Sequence, residues 1–237
     1  FDPTLKKDGD GYTARMGNGT ARLTAPDGKG SVCFSDGDRT VSWQFLGADG
    51  ASLFRDLLPR ARRSAKHPPK LQKAAPAEHS DPLAPVGKAG LSPSDGIDIE
   101  YCIEGTRLKE NILLKEKRDL YCLRYSLCAV GLRAEKDEKG NILFFPLTGE
   151  QTDAPAYIMQ APFMYDAAGE RSDSVHYDLS PDGDGRFLLT LTADADWVNA
   201  PERIFPVCID PDLESTVSSS DYLSIIQYER STVPGCP

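Results

Sequence analysis

Apolar residues recur at every second position through much of this chain, and a period of two marks strands that bury one face. Ile97, Ile99, Tyr101 and Ile103 share one face of such a run, while Asp98, Glu100 and Glu104 take the other. Val41, Trp43 and Phe45 alternate with Ser42 and Gln44. Tyr121, Leu123, Tyr125 and Leu127 alternate with Cys122, Arg124, Ser126 and Cys128. Val175, Tyr177 and Leu179 repeat the pattern before the turn Pro181-Asp182-Gly183-Asp184-Gly185, and Phe187, Leu189 and Leu191 repeat it after. Twenty glycines and 18 prolines, spread along 237 residues, interrupt long helices and suit short strands joined by tight turns. The pattern predicts an all-β protein with β-sandwich-like sheets of mainly antiparallel strands and one long Pro-rich loop.

Breaks in the pattern divide the chain into four segments. Residues 1–58 form an N-terminal β module, and Ser52 to Leu58 have room for one helical turn. Residues 59–95 form a basic, Pro-rich loop or linker. Seven basic residues lie between Arg55 and Lys73 against one acid, Asp56, and prolines 59, 68, 69, 76, 82, 85 and 93 block helix. Residues 96–211 form the main β domain, in which Leu108 to Lys115 runs back against Ile97 to Glu104 as a hairpin. Residues 212–237 read as the start of a following domain or a tail.

Charge and cysteine usage narrow the function. Lys+Arg number 27 and Asp+Glu 36, a net charge of −9, which predicts no nucleic-acid partner because a phosphate backbone requires a basic surface. No run approaches the roughly 18 apolar residues of a membrane-spanning helix, so no membrane insertion is expected. Phe1-Asp2-Pro3 does not begin a signal-peptide pattern. The six cysteines (Cys33, Cys102, Cys122, Cys128, Cys208 and Cys236) contain no CxxC pair, so no zinc site is expected. Five sit in apolar or alternating runs as small hydrophobes, although an even count is also compatible with disulfides. Cys236, in a polar tail, is expected to be exposed.

Catalytic constellations are sparse. Neither a Gly-x-Ser-x-Gly elbow nor a phosphate-binding Gly-rich loop occurs. His67 and His79 lie in the Pro-rich loop, and His176 lies on the polar face of a strand. Asp98 or Glu100, with Glu110 on the neighbouring strand, is a candidate glycosidase pair, weighed against a solvated sheet face. Asp8-Gly9-Asp10-Gly11, Asp36-Gly37-Asp38 and Asp182-Gly183-Asp184-Gly185 each offer only two acids, and hairpin turns account for them without calcium. Trp43 and Trp197 are candidates for a sugar-stacking platform, with core packing as the default. No catalytic residue, cofactor or metal ligand is therefore expected.

Three segments carry a resemblance. They are Gly96-Ile97-Asp98-Ile99-Glu100-Tyr101 continuing through Leu108-Lys109-Glu110-Asn111-Ile112, then Ala161 to Glu170, then Asp196-Trp197 with Arg203-Ile204-Phe205-Pro206-Val207-Cys208-Ile209-Asp210-Pro211. Their order resembles the β-rich region upstream of YD repeats in large bacterial Rhs-type and wall-associated surface proteins, where it leads into a DNRLRE domain. The resemblance covers residues 96–211 and, weakly, 10–50. It implies a secreted or cell-surface protein of a Gram-positive-like bacterium, in which this region is architecture and a distant C-terminal segment carries any activity. It also implies structural roles for Gly96, Asp98, Tyr101, Lys109, Glu110, Trp197, Pro206, Asp210 and Pro211. Asp98 is expected to pair with Lys109, Trp197 to close the core, Pro206 to sit on an edge strand and Asp210-Pro211 to end a strand. Cys208 and the basic loop depart from the family pattern, and YD repeats do not occur.

The expectation is thus a non-catalytic scaffold domain, not an enzyme, of an exported bacterial surface protein. Its partners would be other domains of the parent polypeptide and cell-wall glycan. A carbohydrate- or wall-polymer-binding sandwich is the alternative, and a glycoside hydrolase is a weaker one.

Overall fold

Alternating side chains leave each strand with one apolar face, and two stacked sheets are the economical way to cover such faces. The computed structural model describes residues 5–16, 18–24, 30–48, 72–73, 88–94, 96–104, 106–147 and 154–216. Most of the Pro-rich loop, the proposed turn at Ser52–Leu58, His67, His79, Cys236 and the chain after residue 216 lie outside them.

In chain order the strands begin with β1 (Lys6–Asp8), β2 (Gly11–Met16), β3 (Gly19–Thr24), β4 (Ser31–Asp36), β5 (Arg39–Ala48), β6 (Gln72–Lys73) and β7 (Lys88–Ser94). Then come β8 (Ile97–Glu104), β9 (Arg107–Leu114), β10 (Tyr121–Val130), β11 (Leu132–Lys136), β12 (Ile142–Pro146) and β13 (Tyr157–Met159). The last are β14 (Phe163–Tyr165), β15 (Arg171–Ser172), β16 (Val175–Pro181), β17 (Arg186–Ala193), β18 (Val207–Asp210) and β19 (Asp212–Ser215), with one short helix, α1 (Ala195–Asn199). Asp194 caps α1, its carboxylate accepting from the Asp196 N–H at 3.0 Å.

The first sheet runs β1-β2-β3-β4-β5-β10-β17-β16. The second runs β11-β12-β13-β19-β9-β18-β14-β15, with β8, β7 and β6 extending from the far side of β9. Among the described residues every strand pair is antiparallel, so the protein is an all-β sandwich. β5, from the N-terminal segment, pairs along its length with β10, from the segment after the Pro-rich stretch. The two β modules distinguished in the sequence therefore share one sheet, and their side chains share one core. Likewise β19 lies beyond Pro211 yet pairs with β9 and β13, so the sandwich continues past the expected boundary at residue 211.

Leu23, Phe34, Trp43 and Leu127 of the first sheet meet Ile97, Ile112, Phe144 and Leu213 of the second in that core. Each such side chain contributes roughly 1.5–3 kcal/mol on burial. Phe34 and Tyr157 meet edge to face across the sheets, ring centroids 5.0 Å apart. Two glycines are required by the backbone. Gly96 enters β8 at φ 69°, where a Cβ would strike the Glu116 carboxylate, and Gly185 closes the β16–β17 turn at φ 64° with the Ala129 carbonyl 2.7 Å from where a Cβ would sit.

The three Asp-Gly clusters occupy the turns β1–β2, β4–β5 and β16–β17. Among the described cysteines, all five are free thiols. Cys102, Cys122 and Cys208 are buried, and burial pushes the Cys208 thiol up to about 11.

Candidate functional site

β9 presents different chemistry to its two sides. Leu108, Glu110, Ile112 and Leu114 face the core, while Arg107, Lys109 and Asn111 face outward. A carboxylate on the apolar side is costly unless donors meet it. Glu110 is 3% exposed and is met by two donors from the opposite sheet. The Trp43 indole N–H donates to Oε2 at 2.6 Å and the Tyr125 hydroxyl donates to Oε1 at 2.8 Å. Burial pushes the Glu110 carboxyl up, against the lowering effect of these donors. The Tyr101 hydroxyl is close enough to feel that charge without meeting hydrogen-bond geometry. Burial first, and the Glu110 charge second, hold the hydroxyls of Tyr101, Tyr125 and Tyr177 protonated. A cavity of about 20 Å³, the size of one water molecule, is lined by Glu110, Trp43, Tyr125, Tyr177 and Pro211 among others. Glu110 thus fastens the two sheets to each other through a polar contact inside an apolar core.

The outer side of β9 carries an ionic cluster. Lys109 Nζ donates to Asp210 Oδ2 at 2.9 Å, and Arg107 lies 3.9 Å from Asp212 and 3.7 Å from Glu214. Asp210 and Asp212 flank Pro211, where β18 gives way to β19, and both are buried. They are close enough for one carboxyl to hydrogen-bond the other once protonated. Burial, then the Asp210 charge, push Asp212 up to about 7, while Lys109 and Arg107 oppose the shift. Asp210 and Asp212 in turn hold Lys109 charged, against the effect of its burial.

Several expected roles change once register is known. Asp98 stands opposite Leu113, not Lys109, and its carboxylate takes Lys115 Nζ at 2.9 Å and the Ser92 hydroxyl at 2.5 Å. Pro206 is exposed and precedes β18, which lies between β9 and β14 and is not an edge strand. Asp210-Pro211 does end a strand, β18, as expected, and past Pro211 the chain re-enters the same sheet as β19. Trp197 is half-buried against the core with the Arg203 guanidinium 4.6 Å from its ring centre. Trp43 is buried, so the pair does not form an exposed stacking platform. Glu110 points into the core while Asp98 and Glu100 point out, so these carboxylates do not flank one cleft as a glycosidase pair must.

Two features escaped the sequence. The Trp43–Glu110 contact joins residues 67 positions apart. Asp166, 2% exposed, accepts from the backbone N–H groups of Ala168, Glu170 and Ile204, and Arg203 approaches at 3.4 Å. Those N–H groups and Arg203 hold its carboxyl below the usual range despite burial. The available signal was Asp followed by Ala-Ala-Gly, a side-chain-capped turn.

A surface groove of about 580 Å³ is lined by Lys136, Lys139, Phe163, Arg171, Asp173 and His176 with their neighbours. Its cations are largely engaged. Arg171 covers the Phe163 ring at 4.1 Å and pairs with Asp173 at 3.0 Å, and Lys136 donates to the Tyr177 carbonyl. His176 lies 3.5 Å from Asp178 on an exposed strand. Among the described residues, no group of three or more His, Cys, Asp or Glu is placed to hold a metal ion. No helix among them is long and apolar enough to cross a membrane.

The fold and this site define a polar-pinned, antiparallel β-sandwich. No protein-family model matches the chain. Curated relatives do. It is similar to the tRNA nuclease WapA of Bacillus subtilis, 32% identical over 134 residues, which is 54% of this chain and 6% of the relative. It is equally similar to the tRNA(Glu)-specific nuclease WapA of Bacillus subtilis subsp. natto, and 31% identical over 134 residues to the tRNA3(Ser)-specific nuclease WapA of Bacillus spizizenii. The match therefore spans a small fraction of these relatives' length. These names overturn two expectations, that the protein is not an enzyme and that it has no nucleic-acid partner, because all three relatives are named as nucleases of tRNA. The physical reason is scale. A net charge of −9 is an average over 237 residues and does not describe the charge of any one surface.

Proposed function

We propose that this chain is a folded β-sandwich segment of a long, exported, wall-associated protein that acts on tRNA. The match to three tRNA nucleases over about half of the chain carries the reading. The sandwich supports it physically. Its core draws on residues from Leu5 to Leu213, and Glu110 ties one sheet to the other, which suits a module that must keep its shape within a large chain. In this reading the segment precedes a DNRLRE domain and YD repeats and serves as architecture for presenting the parent protein at the cell surface. The earlier alternatives, sugar stacking on Trp43 and Trp197 and hydrolysis by Asp98 or Glu100 with Glu110, lose their geometric basis.

Fractionating the producing cells tests the placement. An antibody raised against residues 96–216 is expected to detect a polypeptide many times longer than 237 residues, in the wall or secreted fraction. A product of about this length confined to the cytoplasm contradicts it.

A further inference from the structure

The net charge conceals an uneven placement of charge among the strands. The six central strands of the first sheet, β2, β3, β4, β5, β10 and β17, contain five arginines, no lysine and one carboxylate, Asp36, which pairs with Arg39 at 3.1 Å. In the second sheet, β8, β9, β18 and β19 hold seven carboxylates against Arg107 and Lys109. Arg15, Arg22, Arg124 and Arg186 all stand in rows opposite to the core. The register sets Thr13, Arg22, Cys33, Ser42, Cys128 and Arg186 in one line across six strands. Arg22 and Arg186 are four strands apart in it, roughly 19 Å at the usual inter-strand spacing.

The face is open and mainly polar, with Leu46, Val130 and Leu188 as its apolar members. Arg22 is half-exposed with Asp8 3.9 Å away, and Arg15 and Arg186 are exposed. Among the described residues, Arg15, Arg124 and Arg186 enter no ion pair. Between them lie small hydrogen-bonding side chains, including Thr13, Thr20, Ser42, Ser126 and Thr190. Guanidinium forks match phosphate oxygens in pairs, and hydroxyls both donate and accept. The outward rows of these strands contain no aromatic residue, so they lack the platforms on which unpaired bases stack. An open array of arginines and hydroxyls fits the wide, shallow minor groove of A-form RNA, where phosphates and 2′-hydroxyls are read by shape.

We propose that the outer face of the first sheet binds the sugar–phosphate backbone of folded, base-paired RNA. This rests on the tRNA-directed reading above and gives this segment its own contact with that class of partner. Arg22 and Arg186 hold phosphates at the two ends of the row, and Arg15 and Arg124 flank it.

Fluorescence anisotropy of labelled bulk tRNA, titrated with the 237-residue chain between 50 and 200 mM KCl, tests it. Saturable binding is expected, with a log–log salt slope of about −3 to −4 for four phosphate contacts. The Arg22→Ser/Arg186→Ser variant should bind roughly tenfold to a hundredfold more weakly, with the slope shallower by about 2. Arg15→Ser/Arg124→Ser is the parallel pair, and unchanged thermal midpoints establish that both variants fold. Absence of saturable binding, indifference to both double substitutions, or equal binding of a base-free polyphosphate would each overturn the proposal. If the full-length polypeptide cleaves tRNA while this chain does not bind it, the surface assignment alone fails. If this chain binds tRNA and the full-length polypeptide leaves it intact, the nuclease reading fails instead.

Discussion

Glu110→Ala is expected to destabilise the sandwich by about 3–5 kcal/mol, because it strands two buried donors and empties a space in the core. At this chain length that corresponds to a midpoint lower by roughly 6–20 °C. The Trp43 indole N–H and the Tyr125 hydroxyl each lose the acceptor they meet in the fold once the carboxylate is gone. Glu110→Gln retains an acceptor oxygen for one of them, and the Tyr125 hydroxyl can rotate to accept from the new amide. Its expected cost is smaller, about 1–2 kcal/mol. Urea unfolding followed by tryptophan fluorescence reads both variants, since Trp43 is itself a partner. Equal stability of the parent and Glu110→Ala chains would show that the carboxylate does not fasten the sheets.

The second large effect is on pH dependence. Asp212 titrates near 7 in the folded chain, against an ordinary value of 3.8. The folded state therefore holds this proton more tightly than the unfolded state. Its contribution to stability is fully present below about pH 4 and is lost as pH rises towards and through 7. Above that, Asp210 and Asp212 repel each other beside Pro211, with Lys109 and Arg107 compensating in part. Asp212→Asn keeps the neutral form at every pH. Around pH 8 it is expected to stabilise the chain by about 1–2 kcal/mol after screening by solvent, or roughly 2–8 °C. Asp166 acts in the opposite direction: its lowered carboxyl stabilises the fold above the ordinary value, and that contribution is lost as pH falls through its folded value. Midpoints measured from pH 4 to 8.5 for the parent and the variant separate the two, because Asp166 is common to both. Parallel curves would contradict the shared-proton account of Asp210 and Asp212.

The strands were legible because alternation is local. Ile97 to Ile103, Val41 to Phe45 and Tyr121 to Leu127 all lie where a period of two put them. Glu110 shows where that legibility stopped. Leu108, Ile112 and Leu114 share its parity, so its inward orientation was available in the sequence; its partners were not, since Trp43 and Tyr125 reach it from another sheet. The Asp98 pairing was decidable from the turn. Glu104 opposite Arg107 leaves two residues in the loop, and that register carries Asp98 to Leu113. Joining β5 to β10 and carrying the second sheet past Pro211 are long-range pairings that no local pattern encodes. The arginine face was hidden for a similar reason: arginines from four strands, scattered from position 15 to position 186, share one face only when the sheet assembles.

The most direct test of the account uses the complete polypeptide that contains this chain, incubated with total tRNA and resolved on a denaturing gel. Discrete tRNA fragments that accumulate with time, and that are lost when the C-terminal portion of the polypeptide is removed, are the predicted result. Intact tRNA after prolonged incubation with the folded, full-length polypeptide would contradict the account.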